Sequence, residues 1–208
     1  MATYRLAAAI YRPKRVRVLF VAESPPARQK NERARYFYFE DVEKADHLWS
    51  GLMQALYADF GGAAGQRDRK AAWLDRFARD GYWLIDAVKA PIVKRTSDGK
   101  RFSKKALLDR LAKRKQSLIK EIDTIKPKKV VLISVPVYEA LCRPLREAGV
   151  PVVNTTALYF PGFGQQRMFQ HQFIALHQRE GLRPERSKPA NPRRRDGGSP
   201  GNGRNRSR

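Results

Sequence analysis

Glu23 and Asp86 are the residues whose placement invites chemistry. Each closes an apolar run: Val18 to Ala22 lead into Glu23, and Tyr82 to Ile85 lead into Asp86. Ser24, Pro25 and Pro26 follow the first acid, and Lys89 follows the second. Carboxylates at the ends of buried runs can stabilise a developing cation, position a water, or share a hard cation such as Mg²⁺. The bland alternative is structural, with Glu23 capping a loop near a helix dipole and Asp86 pairing with Lys89. The three histidines, His47, His171 and His177, show no ligand spacing to an acid.

Those acids need elements to hold them. Residues 16–22 and 128–134 are Val- and Ile-rich on both faces, as central parallel strands are. Residues 82–88 and 150–158 read as two further strands. Apolar residues spaced three and four apart predict helices over 44–60, 71–80, 103–123, 136–149 and 164–180, with a break or kink near Pro144. Strand–helix alternation with short connections predicts an α/β fold. The form expected is a three-layer α/β/α sandwich with a central, mostly parallel four-stranded sheet. Ligand crevices in such sheets lie at the carboxyl ends of the strands, where both acids fall.

Composition narrows the partner. The 208 residues carry 43 Lys and Arg against 20 Asp and Glu, a net charge of +23. A polyanion is the partner such a charge fits: nucleic acid first, with ribosomal RNA or an anionic membrane surface after it. The charge is also clustered. Lys94, Arg95, Lys100, Arg101, Lys104 and Lys105 crowd the loop after the second strand. The helix that follows has seven basic residues between 104 and 120 against the single acid Asp109. That is a phosphate track rather than an alternating solvated face. Residues 35–40, Arg-Tyr-Phe-Tyr-Phe-Glu, hold four consecutive rings. Alternation along an extended segment would leave two of them facing the crevice as a stacking surface for bases.

One cysteine, Cys142, allows no disulfide framework, CxxC pair or four-cysteine metal site, so no cofactor or metal is expected. No apolar run is long enough to span a membrane, and Leu6 to Ile10 is too short for a secretory signal core. A monomer in a reducing cytoplasm, associated with the nucleoid, is the expectation. Residues 1–182 read as one domain. Residues 183–208, with nine basic and two acidic residues and few apolar side chains, read as a disordered basic tail.

The order of these motifs resembles the uracil-DNA glycosylase superfamily over most of residues 16–175. Ala22 to Pro26 resembles the first active-site motif, which reads Gly-Glu-Ala-Pro-Gly in the iron–sulfur branch. Glu23 falls on its acid and Pro25 on its proline, while Ser24 sits where some branches place the water-activating residue. Trp83 to Pro91 resembles the strand that reads Asn-Val-Val-Lys, with Asp86 in the place of Asn and Lys89 in that of Lys. Residues 125–141 resemble its Pro-Lys, hydrophobic strand and helix segment. Tyr159 to Gly164 resembles the His-Pro-Ser loop, with Phe160 on the His and Pro161 on the Pro.

The resemblance implies base flipping and hydrolysis of an N-glycosidic bond. Glu23 and Ser24 would be catalytic. Phe37 or Tyr38, together with Asp86 and Phe160, would hold the base, and Phe163 would wedge into the duplex. Pro25, Gln165 and Arg167 would join the basic residues along DNA. Two departures stand out. Phe160 cannot donate a hydrogen bond to a base anion, and ionised Asp86 offers acceptors only, which fits uracil poorly. The other readings are a nucleic-acid binder of the same fold without catalysis, and a metal-dependent hydrolase using Glu23 and Asp86.

Overall fold

A computed structural model describes residues 2–27, 35–41, 46–93, 102–162 and 164–182. The basic cluster Lys94, Arg95, Lys100 and Arg101, the wedge candidate Phe163 and the tail 183–208 lie outside the described residues.

The chain is a mixed α/β protein around a small parallel sheet. The order along it is α1 (Ala2–Ile10), β1 (Val18–Ala22), α2 (His47–Leu56), α3 (Lys70–Arg79), β2 (Tyr82–Asp86), α4 (Lys104–Lys113), α5 (Lys115–Ile125), β3 (Lys129–Leu132), α6 (Val135–Glu147) and α7 (Gln166–Glu180). β1 is central, in the spatial order β2-β1-β3. Its register runs from Val18 opposite Tyr82 to Ala22 opposite Asp86 on one side. On the other side it runs from Val18 opposite Lys129 to Val21 opposite Leu132. All five residues of β1 are buried, as a strand paired on both edges and covered by helices requires. Phe20 packs its ring against Phe77 of α3 and Phe173 of α7.

The sheet has three strands where four were expected. Residues 150–158 form no ladder along β3 and the residue after it, only two isolated backbone bridges, Val130 with Val152 and Ile133 with Leu158. Between them lies Asn154, almost fully buried. Its Oδ1 accepts from the Leu132 N–H at 2.9 Å, and its Nδ2 donates to the Leu132 carbonyl at 2.8 Å. A side-chain amide thus takes the edge groups that a fourth strand's backbone would have paired.

The predicted helix 103–123 is two helices, broken at Arg114, whose guanidinium donates to the Ala87 carbonyl at 3.2 Å. α6 runs on through Pro144 rather than ending there. The predicted helix 44–60 is shorter, with Asp46 capping α2 by accepting from the Trp49 N–H at 3.1 Å. α1 had no counterpart in the sequence reading. Among the described residues no helix is long and apolar enough to cross a membrane.

The two edges of the sheet differ. At the amino-terminal edge the end of α7 is tied down: Arg17 donates to the Leu182 carbonyl at 2.9 Å, and so does the Tyr82 hydroxyl. Lys129 donates to the Glu180 carbonyl. The carboxyl edge, where Glu23 and Asp86 sit, is bordered by loops.

Candidate functional site

The parallel register builds the site. Asp86 lies beside Ala22, and the Glu23 carbonyl accepts from the Val88 N–H at 3.0 Å, so the two acids stand on adjacent strand ends. On the other flank Val21 pairs with Leu132, which puts Ser134 level with Glu23. Three polar side chains from three strands therefore share one edge. Leu158 bridges Ile133, so the loop 159–162 leaves the fold on that edge as well.

Asp86 is 8% exposed. The Tyr36 hydroxyl donates a hydrogen bond to its carboxylate. Burial and the neighbouring Asp86 both raise the Tyr36 phenol, so it keeps its proton and acts as a donor. Burial also pushes the Asp86 carboxyl up to about 7. Lys89 and the Tyr36 hydrogen bond pull the other way, and the negative charges of Glu121 and Glu23 add to the rise. The expected pairing of Asp86 with Lys89 is replaced by another: the Lys89 ammonium lies 2.7 Å from Glu121 of α5.

A stability prediction follows from this carboxyl. The folded state keeps the Asp86 proton up to about 7, whereas the unfolded chain releases it near 3.8. The stabilisation is present below the lower value and is lost as pH rises to the upper one. Denaturant unfolding of the wild type and of Asp86→Asn at intervals from pH 4 to 8 checks this. The wild type should lose stability relative to the variant across that window; a constant difference would refute the buried-acid assignment.

Ser134, the polar residue that follows the third apolar run, stands out by its backbone. Its backbone has φ 86° and ψ 146°, a region almost reserved for glycine, at a cost of about 1–3 kcal/mol. The hydroxyl is buried and finds no hydrogen-bond partner among the described residues. It precedes the first turn of the 13-residue α6, whose free N–H groups and dipole favour an anion.

The ring segment departs from the expected alternation. Tyr36, Phe37 and Tyr38 are all buried, and Phe39 is half-buried. The cause is a turn, closed by the Phe39 N–H donating to the Tyr36 carbonyl at 3.0 Å. Alternation holds only for extended backbone. Phe37 packs on Phe77, and the Tyr38 hydroxyl both donates to the Leu84 carbonyl at 3.1 Å and accepts from its N–H at 2.7 Å. Both proposed stacking rings are thus core residues here, and Tyr36 is the ring that reaches the site. Lys70 fixes its backbone by donating to the Tyr36 carbonyl at 3.3 Å.

The remaining candidates are spread along the rim. Ser24 is half-buried and Pro25 buried, with the turn held by the Tyr4 hydroxyl of α1 donating to the Pro26 carbonyl at 2.9 Å. Phe160 is half-buried in its loop. That loop sits close on α2 because residue 51 is glycine. A Cβ there would come within 2.5 Å of the Pro161 side chain. Lys104, Lys105, Gln165 and Arg167 are exposed, Lys104 in an ion pair with Glu139 at 2.8 Å. Among the described residues no group of three or more His, Cys, Asp and Glu side chains comes together as a metal site. No protein-family model and no curated protein matches the chain.

Proposed function

We propose that the protein binds DNA and excises a damaged or deaminated base by hydrolysing its N-glycosidic bond. The observation that carries this reading is the convergence of Glu23, Asp86 with Tyr36, and Ser134 on one strand-end edge. Glu23 and Asp86 in that grouping are residues that the resemblance to uracil-DNA glycosylases implies; Tyr36 and Ser134 are not. On the same reading, residues 152–158 take the place of a reduced fourth strand, and the helices form the outer layers of an α/β/α sandwich.

The chemistry asks different things of each residue. The bond from the base nitrogen to the sugar C1′ breaks, and its electron pair leaves with the base. A water oxygen bonds to C1′ and gives up a proton, while the base takes one up. The Glu23 carboxylate, half-buried beside the crevice, stabilises the sugar cation and orients the water. Ser24 helps to hold that water. Asp86 and Tyr36 face the edge of the flipped base. With Phe37 and Tyr38 in the core, stacking on the base falls to Phe160. Ser134 and the start of α6 take a backbone phosphate, and the basic faces of α4 and α5 carry flanking phosphates. The remaining parts of the proposal are a monomer in the cytoplasm beside the nucleoid.

A second reading has one observation in its favour. Phe160 stands where the resemblance implies a hydrogen-bond donor, so the chain would bind nucleic acid without chemistry. The metal-dependent reading has two carboxylates at this edge to stand on.

One experiment separates the first two. Oligonucleotides carrying a single uracil, hypoxanthine, xanthine or alkylated base are incubated with the protein and tested for alkali-labile sites. Cleavage at one of them is the expected outcome. Tight, salt-dependent binding with no cleavage at any of them would favour the binder.

A further inference from the structure

We infer that Asp86 meets the base as a neutral carboxylic acid, so that it and Tyr36 select an edge pairing an N–H with a C=O, and that ionisation of Asp86 removes this selection. The inference rests on the proposed base pocket and adds how that pocket is specified.

The geometry limits what Asp86 can be. It is the last residue of β2, held in register beside Ala22, and nearly closed off from solvent. Among the described residues, the charged and titratable groups that bear on it come from several elements. From α5, Glu121 adds negative charge and holds the Lys89 ammonium at 2.7 Å. From the end of β1, Glu23 adds more negative charge. Tyr38 is committed at its hydroxyl to both backbone groups of Leu84. At the junction of α4 and α5, Arg114 gives its Nε–H to the Ala87 carbonyl. Tyr36 gives Asp86 a neutral donor. The Lys89 ammonium, though it pairs with Glu121, still favours the ionised form, and burial outweighs it with the help of the two acids. Neutralisation relieves that arrangement, in line with the raised carboxyl described above.

The consequence is chemical. An ionised carboxylate offers acceptors only, and faces a base carbonyl with repulsion. A neutral carboxyl offers one O–H donor and one carbonyl acceptor, the same pattern as a side-chain amide. Tyr36 occupies one acceptor position and fixes which way the group turns. The acid O–H then points a donor at the base carbonyl, where negative charge gathers as the base departs. Asp86 in this form does what an asparagine would do, but only while it holds its proton.

The test uses two single-stranded oligonucleotides, one with uracil and one with a tetrahydrofuran abasic analogue at the same position. Their affinities are measured by fluorescence anisotropy at pH 6 and pH 8.5. The quantity read is the uracil-to-analogue affinity ratio. It should be at least about tenfold at pH 6 and fall toward one at pH 8.5, following an acid fraction that drops roughly 30-fold. Asp86→Asn should hold its ratio at both pH values. A wild-type ratio that does not change with pH overturns the inference. Should the variant fail to fold, a ¹³C titration of the Asp86 carboxyl in the wild-type protein gives an independent reading. A midpoint near neutrality supports the inference, and one below pH 5 overturns it. pH-dependent uracil preference without base release would sink the excision reading and leave this inference standing. Base release at an unchanged rate from pH 6 to pH 8.5 would do the reverse.

Discussion

Lys70→Ala is expected to cost about 3–5 kcal/mol of unfolding free energy, the range for stranding one half of a buried ion pair. Lys70 and Asp46 are 3.0 Å apart, with side chains 2% and 4% exposed. Burial lowers the Lys70 ammonium from its usual range, while Asp46 acts to raise it. The ammonium also sits 5.2 Å from the Trp49 ring centre and donates to the Tyr36 carbonyl. Removing it strands a carboxylate in the core and frees the segment that carries Tyr36. Urea unfolding should show the midpoint fall with little change in slope. Lys70→Met combined with Asp46→Asn should recover most of the loss, because the charge is gone and an amide can still cap α2. A double variant no more stable than Lys70→Ala would show that the stranded charge is not the cause. Lys70 thus anchors the segment that carries Tyr36.

Glu23→Gln is expected to lower single-turnover base release by about 10²–10³, the cost of removing one preorganised group that acts on developing charge. Affinity for the oligonucleotide should change little, since the phosphate contacts proposed above lie on other elements. A variant that keeps its rate would take Glu23 out of the chemistry. A variant that loses affinity and rate in equal measure would make it a binding residue.

Much of the site was legible because strand ends are legible. A run such as Val18 to Ala22 is apolar at every position, which only a strand buried on both faces requires. The first polar residue after it must then lie at the edge of the sheet. Glu23 and Asp86 therefore fall on one edge of a parallel sheet whatever the register. Ser134 was visible in the same way, but its weight was not. Its strained backbone, and a hydroxyl with no hydrogen-bond partner among the described residues, belong to the turn into α6, and neither is written in residue type.

The misreadings have equally local causes. The segment Tyr36 to Phe39 has the composition of a strand, and its rings were assigned faces by alternation. A single hydrogen bond from the Phe39 N–H to the Tyr36 carbonyl makes it a turn, and three rings go inside. Val150 to Leu158 has strand composition too. Asn154 pairs with both backbone groups of Leu132 through its side chain, and the ladder is interrupted there. The apolar stripe of residues 103–123 continues across Arg114, so periodicity alone could not place a break that depends on the Ala87 carbonyl. The Lys70–Asp46 pair left a faint sequence signal, a lysine on the face of α3 that buries Trp73 and Leu74.

By itself, the sequence determined an α/β chain with a basic surface and two carboxylates at strand ends, because burial pattern and net charge are sums over residue types. Only the tertiary structure decided that Asp86 takes a hydrogen bond from Tyr36 and that Lys89, whose charge still reaches Asp86, pairs with Glu121. It also decided that the carboxyl is dry enough to keep its proton toward neutrality. Those outcomes depend on which charges and how much water surround one side chain, and residues 36, 86, 89 and 121 become neighbours only when the chain has folded.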